Sequence, residues 1–495
     1  MLSYTFLKKC DAEYNSDPLL TLSRNVVSFV GPDFVMKNSA TPPTNHIFTV
    51  TTKPRGLRAT DQGVSGNCWM FGGLNLLRHR FMDDTECDNF EFSNTFLSFY
   101  DKIERANTIM SYLIDNNVVD ISNRMTQYII HSINDGGYWK TFAELVEKYG
   151  IAPKSAMEEA DGSLDSTEMN SVLTDIIYRS SIAIIKNNLA RKHNSITTNG
   201  RKRKTGTRVI DKTNNTTKTK TLKNVHNVLQ TFLGRPPTSF EVFLEDHDGK
   251  GVRIGMFTPI SFKDHIMESI GEDASLTDDF SVIFNNISLP MYKGVRFTGS
   301  EFMYGRGDVV MTNVEKQNMV ECVVKSIDSN IPVWFAADLS VGFDPYDSAL
   351  STESMDSELV FGPKRKFSLM DEHKYGLIIS EHAMLITGYN KDDTGEVSEF
   401  QVENSWSFED HSTRGMDGFL TMTVEWFRKY VVQTVIHKSI LDKYIENVDW
   451  DDDDNETFIE SEPWNRTISS AKVKGMNRPR DYLTQLRKGR RPLRM

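Results

Sequence analysis

Thr60-Asp61-Gln62-Gly63-Val64-Ser65-Gly66-Asn67-Cys68-Trp69-Met70-Phe71-Gly72-Gly73-Leu74-Asn75 passes from loop to helix. Gln62, Gly63, Ser65, Gly66 and Asn67 are turn formers. From Cys68 onward Trp69, Met70, Leu74 and Leu77 give an apolar helical pattern that continues to Phe81. Cys68 therefore lies at or near a helix N-terminus. Free backbone N–H groups and the positive end of the helix dipole favour a thiolate there, and a thiolate is the nucleophilic form of cysteine. A single cysteine before a tryptophan also reads as plain core, so the decision rests on two distant stretches.

Ser380-Glu381-His382-Ala383-Met384-Leu385-Ile386-Thr387-Gly388-Tyr389 reads as a histidine opening a buried strand. Gln401-Val402-Glu403-Asn404-Ser405-Trp406-Ser407 reads as a strand running into a loop. A general base must reach the sulfur, and a third group must orient that base. His382 and Asn404 are the right types in the chain order Cys, His, Asn. Taken singly, His382 also reads as a satisfied half-buried histidine and Asn404 as a turn residue. Type, order and local sequence together favour catalysis.

Gly66, Cys68 and Trp69 fit the papain-type signature around the nucleophile, with Ser65 in place of its first cysteine. The resemblance implies that Gln62 and the Cys68 backbone N–H form an oxyanion hole. The resemblance is closer to the bleomycin hydrolase and aminopeptidase C branch of papain-like cysteine peptidases. It is carried by Phe92-Ser93-Asn94-Thr95-Phe96-Leu97-Ser98-Phe99-Tyr100-Asp101-Lys102-Ile103-Glu104-Arg105 and by Asn134-Asp135-Gly136-Gly137-Tyr138-Trp139. Leu145 to Gly150 and Glu358-Leu359-Val360-Phe361-Gly362 extend it, and the similarity runs in order from Phe6 to Lys443.

That resemblance implies an α+β papain-like fold, a helical half plus a β-rich half, with a helical insertion subdomain. It implies a cytosolic aminopeptidase acting on peptides and assembled as a homo-hexamer with active sites facing an inner chamber. It implies that Gly136 and Gly137 pair by backbone with substrate, although a glycine pair also reads as a plain turn. Trp69 and Trp406 complete the expected substrate-side set, Trp406 also shielding the Asn404–His382 hydrogen bond from water. Where the family pattern has Asn-Ser-Trp-Gly, Ser407 replaces the glycine; a positive φ there would strain the loop.

Four cysteines, Cys10, Cys68, Cys87 and Cys322, occur in 495 residues without metal-ligand spacing. This argues against a disulfide scaffold and for a reducing, cytoplasmic setting. No metal and no cofactor are expected. Residues 1 to 15 carry no apolar core of a signal peptide, and no stretch reaches the length of a membrane span. With 39% hydrophobic and 25% charged residues the composition is that of a soluble globular protein.

His382 follows Cys68 by 314 residues, against about 130–150 in papain and cathepsins. The chain therefore divides into an arm (1–60), a catalytic half with the cysteine (61–160), a helical insertion (161–314), a catalytic half with His382 and Asn404 (315–443) and a charged tail (444–495). Within the insertion, residues 199–223 carry nine bases against Asp211, without apolar periodicity. They read as a mobile basic loop, either merely solvated or contacting nucleic acid or acidic partners. The tail holds an acidic run, Asp449 to Glu462, then a basic one, Lys472 to Arg494, and reads as flexible, its basic run a second candidate for weak nucleic-acid binding. Two further functions stay open: an endopeptidase with an ungated cleft, and a non-catalytic module binding nucleic acid or protein.

Overall fold

The cysteine helix, Cys68–Thr85, is the axis of the molecule. Trp69, Met70, Phe71, Leu74, Leu76, Leu77, Phe81 and Met82 point in several directions around it, and all are buried. A helix buried on all sides, its buried polar residues Asn75, Arg78 and His79 included, belongs inside a domain. On one side it packs against the helices Asn94–Asp115 and Trp139–Tyr149; on another it packs against the sheet. This computed structural model describes residues 1–461 apart from 43, 88, 197–203, 246–247, 271–273, 363–365, 408–416, 446–447 and 449–458.

The histidine strand, His382–Lys391, is buried along nearly its whole length. That matches the apolar run Ala383 to Ile386 within it, the pattern of a strand covered on both faces. It pairs antiparallel with Val333–Ala337, placing His382 opposite Ala337. On its other edge it pairs with the asparagine strand, Val397–Glu403, with Leu385 opposite Glu403. Asn404 follows directly, so adjacent strands deliver the histidine and the asparagine. Among the described residues these strands belong to a twelve-stranded mixed sheet. The helices on one side and this sheet on the other form an α+β fold.

Three expectations change. The insertion is not purely helical. It contains a hairpin, Phe240–Glu245 with Gly251–Phe257, and its strands Phe280–Phe284, Lys293–Phe297 and Val309–Asn313 join the main sheet. The period-2 burial of Phe240–Glu245, Lys293–Phe297 and Val309–Asn313 is hidden beside the longer helical patterns.

The basic stretch is not a loop from residue 204 onward. It lies on the helix Lys204–Leu233, packed against Thr167–Ile196 and Asn94–Asp115. The seam is polar at one end: Asn214 Nδ2 donates to Asn188 Oδ1 at 2.9 Å, and Asn187 Nδ2 donates to Asn214 Oδ1 at 2.9 Å. Lys218 Nζ reaches Ser111 Oγ at 2.7 Å, and Thr221 Oγ1 reaches Ser180 Oγ at 2.8 Å. Val225, Leu229 and Leu233 then continue it with buried apolar side chains. Hydrogen-bonded polar residues at helical spacing leave no hydrophobic period to read. Residues 199–203 lie outside the described residues.

In the tail, Ile459–Ser461 forms a strand parallel to Lys293–Phe297. The rest of the acidic run, 449–458 and 462, and the basic run from 472 on lie outside the described residues.

Candidate active site

Cys68 is the first residue of its helix and is 6% exposed. The preceding Asn67 makes no side-chain cap; its Nδ2 donates to Ser98 Oγ at 3.2 Å instead. Trp334 Nε1 donates to Trp69 O at 3.0 Å, fastening the first turn to the sheet. The Ala383 N–H donates to Cys68 Sγ at 3.4 Å, which brings the cysteine against the residue following His382.

The loop before Cys68 is held by a buried carboxylate. Asp135 Oδ2 accepts from the Gly66 N–H at 3.0 Å and from the Ser166 hydroxyl. Its Oδ1 accepts from Lys102 Nζ and from Asn170 Nδ2, both at 2.8 Å. Burial alone would raise the Asp135 pKa. The Lys102 charge and the hydrogen bonds from Lys102, Ser166 and Asn170 outweigh that and hold it well below the usual carboxylate range. One helical turn on, Arg105 donates to Ser132 O at 2.8 Å and Gly136 O at 2.5 Å, and its Nε is ion-paired with Asp101 at 2.7 Å. Two buried cations of one helix thus clamp the turn 132–137 beside the cysteine loop. Gly136 takes φ 93°, which favours glycine. At Gly137 an added Cβ would lie 2.5 Å from the Trp69 ring.

His382 is buried, and its Nε2 lies 2.8 Å from Asn404 Oδ1. An amide oxygen only accepts, so this bond assigns the ring proton to Nε2 and leaves Nδ1 as the basic nitrogen. Nδ1 makes no hydrogen bond to the described residues. The Trp406 ring lies 4.7 Å from the imidazole, centroid to centroid, and covers it. The Gln62 N–H donates to Ser405 O at 2.9 Å and the Ser407 N–H to Thr60 O at 3.1 Å. These bonds stitch the loop before the cysteine to the loop after the asparagine. Ser407 is not among the described residues with positive φ, so the expected strain is absent there.

A narrow cleft of about 20 Å³ is lined by Cys68, Trp69, Gly136, Gly137, Glu381 and His382, among others. It thus gathers five of the residues expected from sequence. Gln62 and Trp406 do not line it. Gln62 is buried, and its Nε2 donates to Ser65 O at 2.7 Å. One of its two N–H bonds is therefore committed within the loop. Among the described residues no cluster of His, Cys, Asp or Glu is arranged to hold a metal ion.

Burial pushes the Cys68 thiol up to about 11, despite hydrogen bonds from the Ala383, Trp69 and Cys68 N–H groups; the Asp135 charge adds to the rise. Burial takes His382 down to about 4, partly offset by its bond to Asn404. Burial thus works against the thiolate that the helix position favours. Desolvation disfavours both charged forms, the thiolate and the imidazolium, so the same burial favours a thiol beside a neutral imidazole.

Sequence reading did not single out Asp135, Lys102, Arg105 or Glu381. The Asn134-Asp135-Gly136-Gly137 turn was legible; that its acid is a buried anchor depends on Lys102, distant in sequence. Two charges three residues apart inside an apolar helix were the available signal.

The fold is papain-like α+β, and the family it belongs to makes it a cysteine peptidase. PepW from Lactobacillus rhamnosis HN001 (DR20) superposes with a TM-score of 0.78 over 94% of this chain and 98% of its own, at 24% identity. The chain belongs to the Peptidase C1-like family, whose model matches residues 1–466. It is 28% identical to bleomycin hydrolase of Rattus norvegicus over 435 residues, covering 86% of this chain and 90% of that protein. It is 29% identical to aminopeptidase E of Lactobacillus helveticus over 383 residues, covering 77% of this chain and 81% of that one.

Proposed function

We propose that this protein is a cytoplasmic cysteine aminopeptidase of bleomycin hydrolase type, working through Cys68, His382 and Asn404. The observation that carries the reading is the shared cleft of Cys68 and His382, with His382 Nε2 held 2.8 Å from Asn404 Oδ1. His382 Nδ1 takes the thiol proton as Sγ attacks the scissile carbonyl carbon. The tetrahedral intermediate collapses, the C–N bond breaks, and the imidazolium gives that proton to the leaving amine. Water, deprotonated by the same nitrogen, then hydrolyses the thioester and restores the thiol. The Cys68 N–H at the helix start supports the oxyanion, with Gln62 as its expected second donor. Gly136 and Gly137 offer backbone to the peptide.

The names of the relatives support the aminopeptidase over the endopeptidase reading. The test uses two fluorogenic peptides, one with a free α-amine and one acetylated. Faster cleavage of the free amine is expected, and equal cleavage would favour an endopeptidase. Cys68→Ala is expected to abolish both activities; activity surviving it would reject the cysteine mechanism. Free thiols at Cys10, Cys68, Cys87 and Cys322 support a reducing compartment. Assembly as a homo-hexamer is part of the proposal.

A further inference from the structure

We infer that Glu403 is a positioning residue for the reaction: its bond to His79 sets Asn404, and through it His382, against the cysteine helix. The inference rests on the Cys68, His382 and Asn404 reading and names the group that aligns its parts.

Glu403 ends the asparagine strand and directly precedes Asn404. Phe400 and Val402 pack into the core on one face of that strand. Alternation turns Glu403 to the other face, toward the cysteine helix. Its side chain is fully buried. A carboxylate persists in such a place only with partners, and Glu403 finds two on the helix Cys68–Thr85. Oε2 lies 2.8 Å from His79 Nε2, and Oε1 lies 3.5 Å from Arg78 Nη1. A carboxylate oxygen only accepts, so His79 Nε2 carries the ring proton and is the donor. Arg78 ties in a third segment. Its Nη1 donates to Arg58 O at 2.8 Å, where the chain enters the loop that carries Gln62, and its Nε donates to Phe90 O at 2.6 Å. The segments carrying Cys68, Gln62 and Asn404 thus meet at one buried charge cluster.

The cluster lies about three turns down the helix from Cys68. At the near end, Trp334 Nε1 holds Trp69 O at 3.0 Å. Fastening at both ends fixes the helix in position and in rotation. Asn404 is held from the other side as well, its N–H donating to Gly418 O at 2.9 Å. Its Oδ1 therefore meets His382 Nε2 at a place set relative to the cysteine helix and not to the sheet alone. A misplacement of about 1 Å costs about 10²-fold in rate, so this alignment bears on kcat. Glu403, Arg78 and His79 do not line the cleft, so they act on the reaction through the residues they hold.

The experiment measures kcat and KM for the fluorogenic peptide cleaved faster, in wild type, Glu403→Leu, Asn404→Ala and the double variant. Each kcat is taken per Cys68 alkylated to completion by iodoacetamide under native conditions. Glu403→Leu is expected to lower kcat about tenfold or more and to leave KM within about twofold of wild type. In the Asn404→Ala background the same change should cost less than about twofold, because the group it acts through is gone. Glu403→Gln keeps an oxygen that accepts from His79 and should hold kcat within about threefold of wild type. A merely structural role would lower stability in both backgrounds without moving kcat per labelled cysteine. Wild-type kcat in Glu403→Leu, or the same loss repeated on top of Asn404→Ala, would overturn the inference and leave the cysteine mechanism standing. So would a Glu403→Gln no faster than Glu403→Leu. Activity untouched by Asn404→Ala itself would remove Asn404 from the mechanism, and the inference with it. Should Glu403→Leu fail to fold, His79→Phe carries the test, since it removes the donor and leaves Glu403 beside Arg78. It should show the same loss of kcat, and a folded His79→Phe with wild-type kcat overturns the inference.

Discussion

Gly137 shows how little freedom the cleft leaves a single residue. A Cβ there would enter the Trp69 ring at 2.5 Å, so Gly137→Ala must shift either the turn or the tryptophan behind Cys68. Overpacking of this kind costs about 1–3 kcal/mol, measurable by urea unfolding, and kcat/KM should fall about tenfold or more because the shift reaches the nucleophile. A variant with wild-type kinetics would show that the turn does not position substrate. The buried pair makes its own prediction about pH. His382 has its folded pKa lowered to about 4 from an ordinary 6.5. As pH falls from about 6.5 to about 4, the unfolded chain binds a proton that the fold refuses, so this histidine's contribution to stability is lost across that window. Cys68 has the opposite sign in the alkaline range. The folded thiol holds its proton up to about 11 against an ordinary 9.0, so unfolding gains ground as pH rises between these values. Alkylation of Cys68 should rise through about pH 4, where His382 becomes a base, and rise again near 11. In His382→Ala the first rise should vanish, with a loss of about 10²–10⁴-fold at neutral pH. An acid limb at 6.5 would mean that the imidazole is solvated. Cys68, His382 and Asn404 were legible in the sequence because each sits in a distinctive local string. Their protonation was not, because burial is decided by distant strands and outweighs the local helix end.

At the scale of elements, the helix Asn94–Asp115 gave its position and apolar face to its sequence pattern but not its task. Phe96, Leu97, Ala106, Ile109, Met110 and Leu113 mark a core face. Lys102 and Arg105 are buried as well, and their partners, Asp135 and the carbonyls of residues 132–136, come from a turn about thirty positions on. Two charges three residues apart inside an apolar helix hint at such a pair, but no local pattern names its partners. Lys102→Met leaves Asp135 as a buried charge without its cation and should cost about 3–5 kcal/mol, read by chemical denaturation together with slower Cys68 alkylation. Stability within about 1 kcal/mol of wild type would show that the pair behaves as a solvated surface bridge. The helix Lys204–Leu233 was misread for a related reason: its seam is made of Asn214, Lys218 and Thr221, which look like loop residues until Asn188, Ser111 and Ser180 are placed opposite them. Its outer face carries exposed Lys212, Lys220 and Lys223. We propose that this face contributes to weak polyanion binding. Binding of single- or double-stranded DNA should then weaken steeply as salt rises, and Lys220→Glu with Lys223→Glu should reduce it. Binding that ignores salt, or none at low salt, would leave the face merely solvated.

For the whole molecule, the open question is what covers the arm. The helices Tyr4–Ser16, Pro18–Val30 and Pro32–Met36 bury none of their residues. Their starts are well specified: Ser3 and Asp17 cap the first two, and Pro18 and Pro32 occupy first-turn positions. Capping alone does not hold a helix of 13 residues in water, since most helical stability in proteins comes from packing one face. Yet Leu2, Tyr4, Phe6, Leu19, Leu22 and Phe29 are exposed, Phe29 at 86%. The arm joins the body at its far end. Asp356 N–H donates to Met36 O at 2.6 Å, and Lys37 is ion-paired with Asp347 at 3.0 Å and Asp344 at 3.3 Å. An anchored base with an uncovered apolar length is what a segment reaching to another copy of the chain requires. This supports the proposed homo-hexamer. Wild type should sediment as an assembly of that size, and a variant lacking residues 1–36 should sediment as a monomer with its Cys68 still reactive. Replacing Leu19, Leu22 and Phe29 together by serine should weaken assembly in the same direction without shortening the chain, and the midpoint of dissociation should move to higher protein concentration. A monomeric wild type at micromolar concentration would reject the assembly. An assembly unchanged by both variants would place its contacts elsewhere on the surface.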